Sequence, residues 1–263
     1  MYRDDGYLVT NHHVIEDASS LYVGFSEGRA MPARVVGADA ASDLAVLKVK
    51  ATGLPPLDVR SHPVVVGEPC LALGSPLDYP HSVSFGVISA VGRRISDEDG
   101  DLFDLVQTDA DINPGNSGGA LIDVEGRLIG VPTIRQVWAG EDQPVAGLNF
   151  AVPAATVSTV VEILIEHGAV SRARLGVQAA ERTVAIDGAV VRAVVIEGVH
   201  PDQGSDVRIG DVLIKVNNQR VTSRTELHHA LSLHPAERLV HSEVYRDGAF
   251  LPIAIRPLAS PAI

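Results

Sequence analysis

The feature that most limits the fold is the spacing of apolar runs along residues 1–153. GYLVTNHHV, SLYVGF, ARVVGAD, DLAVLKV, PCLALGS, FGVISAVGR, ALIDVEGRLIGVPTI and GLNFAVP are rich in Val, Leu and Ile, and Gly, Pro and Asp separate them. Short runs at even spacing, with turn residues between them, favour a barrel or sandwich over βαβ units. Aromatic residues make up only 4% of the chain, so the core must be built from Val, Ala, Leu and Ile. One helix stands out. After Pro153, the residues Val157, Val160, Val161 and Leu164 follow an i, i+3, i+4, i+7 pattern, and Gly168 supplies a stop.

A second pattern starts near Leu175. AVVRAVVIEGV reads as a strand pair, VRIGDVLIKVNNQRV as turn, strand and turn, and RLVHSEVYRDGAFLPIAIRP as a hairpin turning at Asp247-Gly248. Between them TSRTELHHALSL reads as a helix. Thr222 and Ser223 are its cap candidates, and Leu227, Ala230 and Leu231 share one face. Charge changes at the same place. Residues 1–168 hold 10 Lys/Arg against 23 Asp/Glu, and residues 169–263 hold 11 against 10. The expected organisation is a first domain over 1–168 and a second over 169–263.

Composition removes several classes of function. The net charge of −12 argues against a general nucleic-acid binder, because phosphate neutralisation needs basic surface. No run of 18 apolar residues is present, so no transmembrane segment is expected. The start, MYRDDGYLVTNHHV, has neither a basic n-region nor an apolar h-region, so no signal peptide is visible in this chain. The one cysteine, Cys70, excludes an internal disulfide and a Cys-rich zinc site. It sits in an apolar run and reads as a buried, inert thiol. The acidic stretch from Asp97 to Asp109 invites a calcium reading. Counting from Asp97, however, the sixth residue is Leu102 where an EF-hand loop needs Gly, so a solvated acidic loop is expected.

Three segments carry chemistry, in the order His, Asp, Ser. In TDADINPGNSGGAL a serine set among glycines can point its hydroxyl outward from a tight turn. The same turn can leave backbone N–H groups of Gly115 and Ser117 free to hold an oxyanion. A hydroxyl nucleophile needs a base, and VTNHHVIEDA offers His12 and His13. In an extended segment only one of the two can face a site. HHVIE lacks the second histidine of an HExxH helix, which leaves a metal centre without support. DAASDLAVLKV places Asp43 just before a strand, where a carboxylate can orient a histidine. Asp39 reads as a surface turn residue.

Taken together, GYLVTNHHVI, SDLAVLKV, LALGSP, FGVISAVGR, QTDADINPGNSGGALID, GRLIGVPT and GLNFAVP resemble the HtrA (DegP-like) serine proteases. The tail LGV…VRIGDVLIKVNNQRVTSRTELHHAL…VYRDG is similar to that family's PDZ domain. The resemblance implies a mainly β chain. It would be a chymotrypsin-like double β-barrel, its first barrel incomplete for want of two strands, followed by a PDZ domain. It assigns His13 as base, Asp43 as orienting acid and Ser117 as nucleophile, with Gly115, Asn116 and Ser117 forming the oxyanion hole. By the same resemblance, Pro132, Thr133, Ile134, Leu148, Asn149 and Phe150 frame a substrate pocket. The bulk of Ile134 and Leu148 points to cleavage after small apolar residues.

In the PDZ-like part, Arg174, Leu175, Gly176 and Val177 would receive a terminal carboxylate, and Leu227 and Leu231 the terminal side chain. No cofactor or metal is implied. The expected partners are unfolded polypeptides and peptide C-termini. The family also implies a bacterial periplasm or cell-envelope location and allows a homotrimer. Two functions follow: a serine endopeptidase acting on unfolded or damaged proteins, or an inactive chain whose PDZ domain still captures C-termini.

Overall fold

The computed structural model describes residues 1–25, 27–75, 82–97, 100–133, 147–232, 234, 236 and 238–258. The chain separates into two compact units, Met1–Val170 and Ser171–Ile263. In the first, strands β1 (Tyr7–Thr10), β2 (Leu21–Gly24), β3 (Ala30–Asp39) and β4 (Leu44–Val49) form an antiparallel sheet in the order β1-β4-β3-β2. This sheet is half a barrel, with β1 and β2 at its edges. Six further strands close into a barrel in the order β10-β7-β6-β5-β8-β9. They are β5 (Pro69–Gly74), β6 (Ser82–Asp97), β7 (Gly100–Thr108), β8 (Ala120–Ile122), β9 (Leu128–Thr133) and β10 (Asn149–Pro153).

Helix α1 (Ala154–His167) fastens the sheet to the barrel. Its buried face, Val157, Val160, Val161 and Leu164, shares one core with Leu44 and Val46 of β4, Val131 of β9, and Phe150 and Val152 of β10. The helix stops where the sequence expected: Gly168 takes a left-handed conformation and its N–H donates to the Leu164 carbonyl at 3.0 Å. A separate cluster fills the barrel, with Cys70, Ala72, Ile88, Val106, Leu121 and Ile129. Cys70 is wholly buried with its Sγ 3.1 Å from the Thr108 hydroxyl, and burial pushes its thiol pKa up.

Two expectations for this unit fail. The acidic stretch from Asp97 is no solvated loop. Gly100–Thr108 is strand β7, paired with β6, and Leu102 and Leu105 point into the core between charged neighbours. Asp39 is no surface turn residue either. It is 8% exposed and caps the short 3-10 turn Ala40–Ser42, accepting the Ser42 N–H at 3.1 Å.

The second unit has a sheet in the order β11-β12-β13-β15-β16. Its strands are β11 (Val177–Ile186), β12 (Ala189–Val199), β13 (Val212–Val216), β15 (Val240–Arg246) and β16 (Ala249–Ile255), and the short β14 (Gln219–Arg220) pairs with β13. AVVRAVVIEGV is one long strand, not a pair. Its partner is the more polar β11, joined through Asp187-Gly188, both at positive φ. Asp247-Gly248 turns the β15–β16 hairpin in the same way. Helix α2 (Arg224–Ser232) opens with a capping box. The Ser223 hydroxyl accepts the Glu226 N–H at 3.2 Å, and the Glu226 carboxylate accepts the Ser223 N–H at 3.2 Å.

Candidate active site

The acid-bearing residue sits at a strained corner. Asp43 follows the 3-10 turn with φ 52, and its side chain is only 2% exposed. An uncompensated carboxylate there would be costly. Three donors compensate it. His13 Nδ1 lies 2.9 Å from both carboxylate oxygens, the His13 N–H donates to Oδ1 at 3.1 Å, and the Thr133 hydroxyl donates to Oδ2 at 2.6 Å. Burial pushes the Asp43 pKa up, but the bonds from the His13 ring, the Thr133 hydroxyl and the His13 N–H outweigh it. The carboxyl is held below its ordinary value.

Asn11, which is wholly buried, adds a further tie. Its Nδ2 donates to the Asp43 carbonyl at 2.9 Å, so one side chain links the acid's backbone to the segment leading into His13. With Nδ1–H directed at Asp43, His13 presents Nε2 as its proton acceptor. Its side chain is 37% exposed, open enough to meet a substrate.

Ser117 is half-buried in the turn that enters β8. The Asn116 N–H donates to the Asn113 carbonyl at 2.9 Å, the Gly119 N–H to the Asn116 carbonyl at 3.0 Å and the Gly118 N–H to the Pro132 carbonyl at 3.2 Å. Gly118 has φ 74, and a Cβ there would collide with the Thr10 hydroxyl. Glycine thus lets the serine turn lie directly against the end of β1, the strand that leads to His13. At its other end, the serine turn is bonded to Pro132, next to the Thr133 that holds Asp43.

Several expected roles shift. Asn116 cannot donate its N–H to an oxyanion, because the Asn113 carbonyl already takes it; only Gly115 and Ser117 remain candidates. Thr133 is buried with its hydroxyl on Asp43, so it supports the acid rather than lining a pocket. Phe150 is 5% exposed and belongs to the core shared with α1. Pro132 is buried and offers its carbonyl to Gly118. Leu148 is half-buried against that core, and Asn149 donates Nδ2 to the Ala110 carbonyl at 3.0 Å. Ile134 lies outside the described residues. Sequence reasoning missed Asn11 altogether and gave Thr133 the wrong part. Both act through contacts to Asp43, 32 and 90 residues away in sequence. Cavities of 830 and 620 Å³ occur in this unit, and neither is lined by His13, Asp43 or Ser117.

In the second unit, the carbonyls of Arg174, Leu175 and Gly176 are all tied back. They accept from the Leu258 N–H at 2.8 Å, Gln203 Nε2 at 2.6 Å and the His200 N–H at 2.8 Å. Gly176 has φ 63, and a Cβ there would stand 2.6 Å from the Leu258 side chain. Leu175 and Leu227 are core residues, 5% and 9% exposed, so the side chain of Leu175 is not available to a ligand. Leu231 is half-buried beside them, and Val177 packs on the same cluster.

A half-barrel and a closed barrel carrying a His–Asp pair beside a Gly-flanked serine, followed by a small β-rich unit with one capped helix, define a trypsin-like peptidase with a PDZ domain. Residues 1–131 match the family described as trypsin-like peptidase domain, and residues 173–256 match the PDZ domain. The chain is 36% identical to a probable periplasmic serine endoprotease DegP-like of Chlamydia muridarum, over 98% of this chain and 53% of that protein. It is 35% identical to the serine endoprotease DegS of Haemophilus influenzae, over 95% of this chain and 73% of that one. The solved structure of the HtrA-type protease AlgW with a decapeptide superposes with a TM-score of 0.83 at 32% identity, covering 100% of this chain and 82% of the other. The chain belongs to the HtrA-type serine proteases. It spans about half the length of the DegP-like relative.

Proposed function

We propose that this chain is a serine endopeptidase that hydrolyses peptide bonds of unfolded or damaged polypeptides, with a PDZ domain that binds polypeptide C-termini. The observation that carries the reading is the buried Asp43 carboxylate, bonded at once to the His13 ring, the His13 N–H and Thr133, beside a serine turn packed on the end of β1. In this mechanism Ser117 Oγ attacks the scissile carbonyl while His13 Nε2 takes its proton. The Gly115 and Ser117 N–H groups stabilise the oxyanion, and the proton passes from His13 to the leaving amine. Water then enters by the same route and releases the acyl group. Asp43 keeps the imidazole in the required tautomer and stabilises its cation. An extended polypeptide suits a surface site that no enclosing cavity surrounds.

The test is labelling with a fluorophosphonate probe alongside degradation of a denatured protein. Ser117→Ala is expected to lose both while keeping the melting transition. A second reading has one observation in its favour: β1, which leads to His13, is an edge strand of an open sheet. Such an edge holds the base less firmly. C-terminal peptide binding by a wild-type chain that the probe does not label would favour that reading, in which the PDZ domain alone works.

A further inference from the structure

β11 pairs with β12 along one side, from Val177 opposite Val199 to Ile186 opposite Ala189, and forms the edge of its sheet. A peptide added to that edge as a further strand must run between β11 and α2. This gap is bridged at one point. Glu181 Oε1 accepts the N–H of Arg224, the first residue of α2, at 2.9 Å, and Oε2 pairs with the guanidinium of Arg192 on β12. Strand alternation puts Glu181 on the same face as Val177 and Ala179, both of which pack on the core that holds Leu227 and Leu231. A carboxylate at a helix N-terminus is well placed. The Arg224 N–H comes first among the causes that hold the Glu181 carboxyl below its ordinary value; burial opposes it, and Arg192 adds to it.

We infer that Glu181 is a latch that ties β11 to α2 and closes the far end of the peptide slot. This inference rests on the proposed capture of C-termini by the second unit. With the terminal carboxylate at Gly176, the strand open to pairing runs from Val177 to Ala180. At about 3.3 Å per residue this accommodates about four ligand residues before the latch. The slot therefore reads the last four residues of a polypeptide, and residues further upstream leave it without adding affinity. Glu181 sets this length limit.

The experiment is calorimetry on the full chain with nested Ala/Ser peptides of three, four, six and eight residues, all ending in Val with a free carboxylate. In wild type, affinity is expected to rise up to four residues and stay within twofold beyond. Glu181→Ala opens the slot, and the eight-residue peptide is then expected to bind at least fivefold tighter than the four-residue one. Glu181→Gln keeps an acceptor for the Arg224 N–H, so it should restore the wild-type profile if the bond, rather than the charge, is the latch. A tenfold gain from four to eight residues in wild type overturns the latch while leaving C-terminal capture standing, as does an unchanged profile in a folded Glu181→Ala chain. Failure of every peptide to bind removes the capture reading and the latch with it.

Discussion

Replacing Thr133 by Val deletes one hydroxyl from the acid's environment and leaves the side chain's volume almost unchanged. That hydroxyl donates to Asp43 Oδ2 at 2.6 Å, and both groups are buried, with Thr133 1% exposed. A hydrogen bond to a charged group is worth about 1.5–3 kcal/mol, and removing the donor leaves a buried carboxylate oxygen short of a partner. The variant is therefore expected to lose about 2 kcal/mol of unfolding free energy at neutral pH. The pH dependence has a definite sign. In the wild type the folded-state pKa of Asp43 is depressed below its ordinary value of 3.8. Stability from such a group is fully present above the unfolded pKa and is lost as pH falls through the folded one. The gap between wild type and Thr133→Val should be full above about pH 5 and should shrink below about pH 4. Urea titrations at a series of pH values measure it. Turnover of a denatured protein should drop about tenfold if roughly 1.4 kcal/mol of the lost bond had served to align the histidine. Equal stability of the two proteins at pH 7, or a gap that widens toward pH 3, would refute the claim that Thr133 helps hold the charged form of Asp43.

The base and the second unit can be tested separately. His13→Ala is expected to abolish turnover and His12→Ala to leave it nearly intact, since only His13 reaches Asp43; equal losses from the two would undo that assignment. In the second unit, Arg246 is 10% exposed and bonds to the fully buried Asp211 through Nε at 2.6 Å and Nη2 at 2.8 Å. Arg246→Ala strands that carboxylate, so destabilisation by about 3–5 kcal/mol is expected in chemical denaturation, and a loss under 1 kcal/mol would contradict the pairing.

Local chemistry settled a good part of this protein before any coordinates. The α1 periodicity, the stop at Gly168 and the turn at Asp247-Gly248 each depend on neighbours within a few residues, so they are legible in sequence. The same holds for the Gly-flanked Ser117 and for the two histidines that include His13. Strand β11 was not legible. Its Gln, Glu and Arg residues suppress the apolar signal, and it exists because β12 supplies a ten-residue ladder for it. The stretch from Asp97 misled for a related reason. Its charges crowd the sequence, while barrel closure turns Leu102 and Leu105 inward.

The tertiary structure alone decided which groups compensate Asp43. Burial of that carboxylate demands donors, and the fold delivers them from Thr133 on β9 and from the His13 turn, while Asn11 fixes the acid's own backbone. It also decided that the Asn116 N–H belongs to a turn and that Phe150 belongs to the core. Sequence carries short-range propensity and residue type. Where a buried charge finds its partners depends on which strands pack together, and no local pattern encodes that.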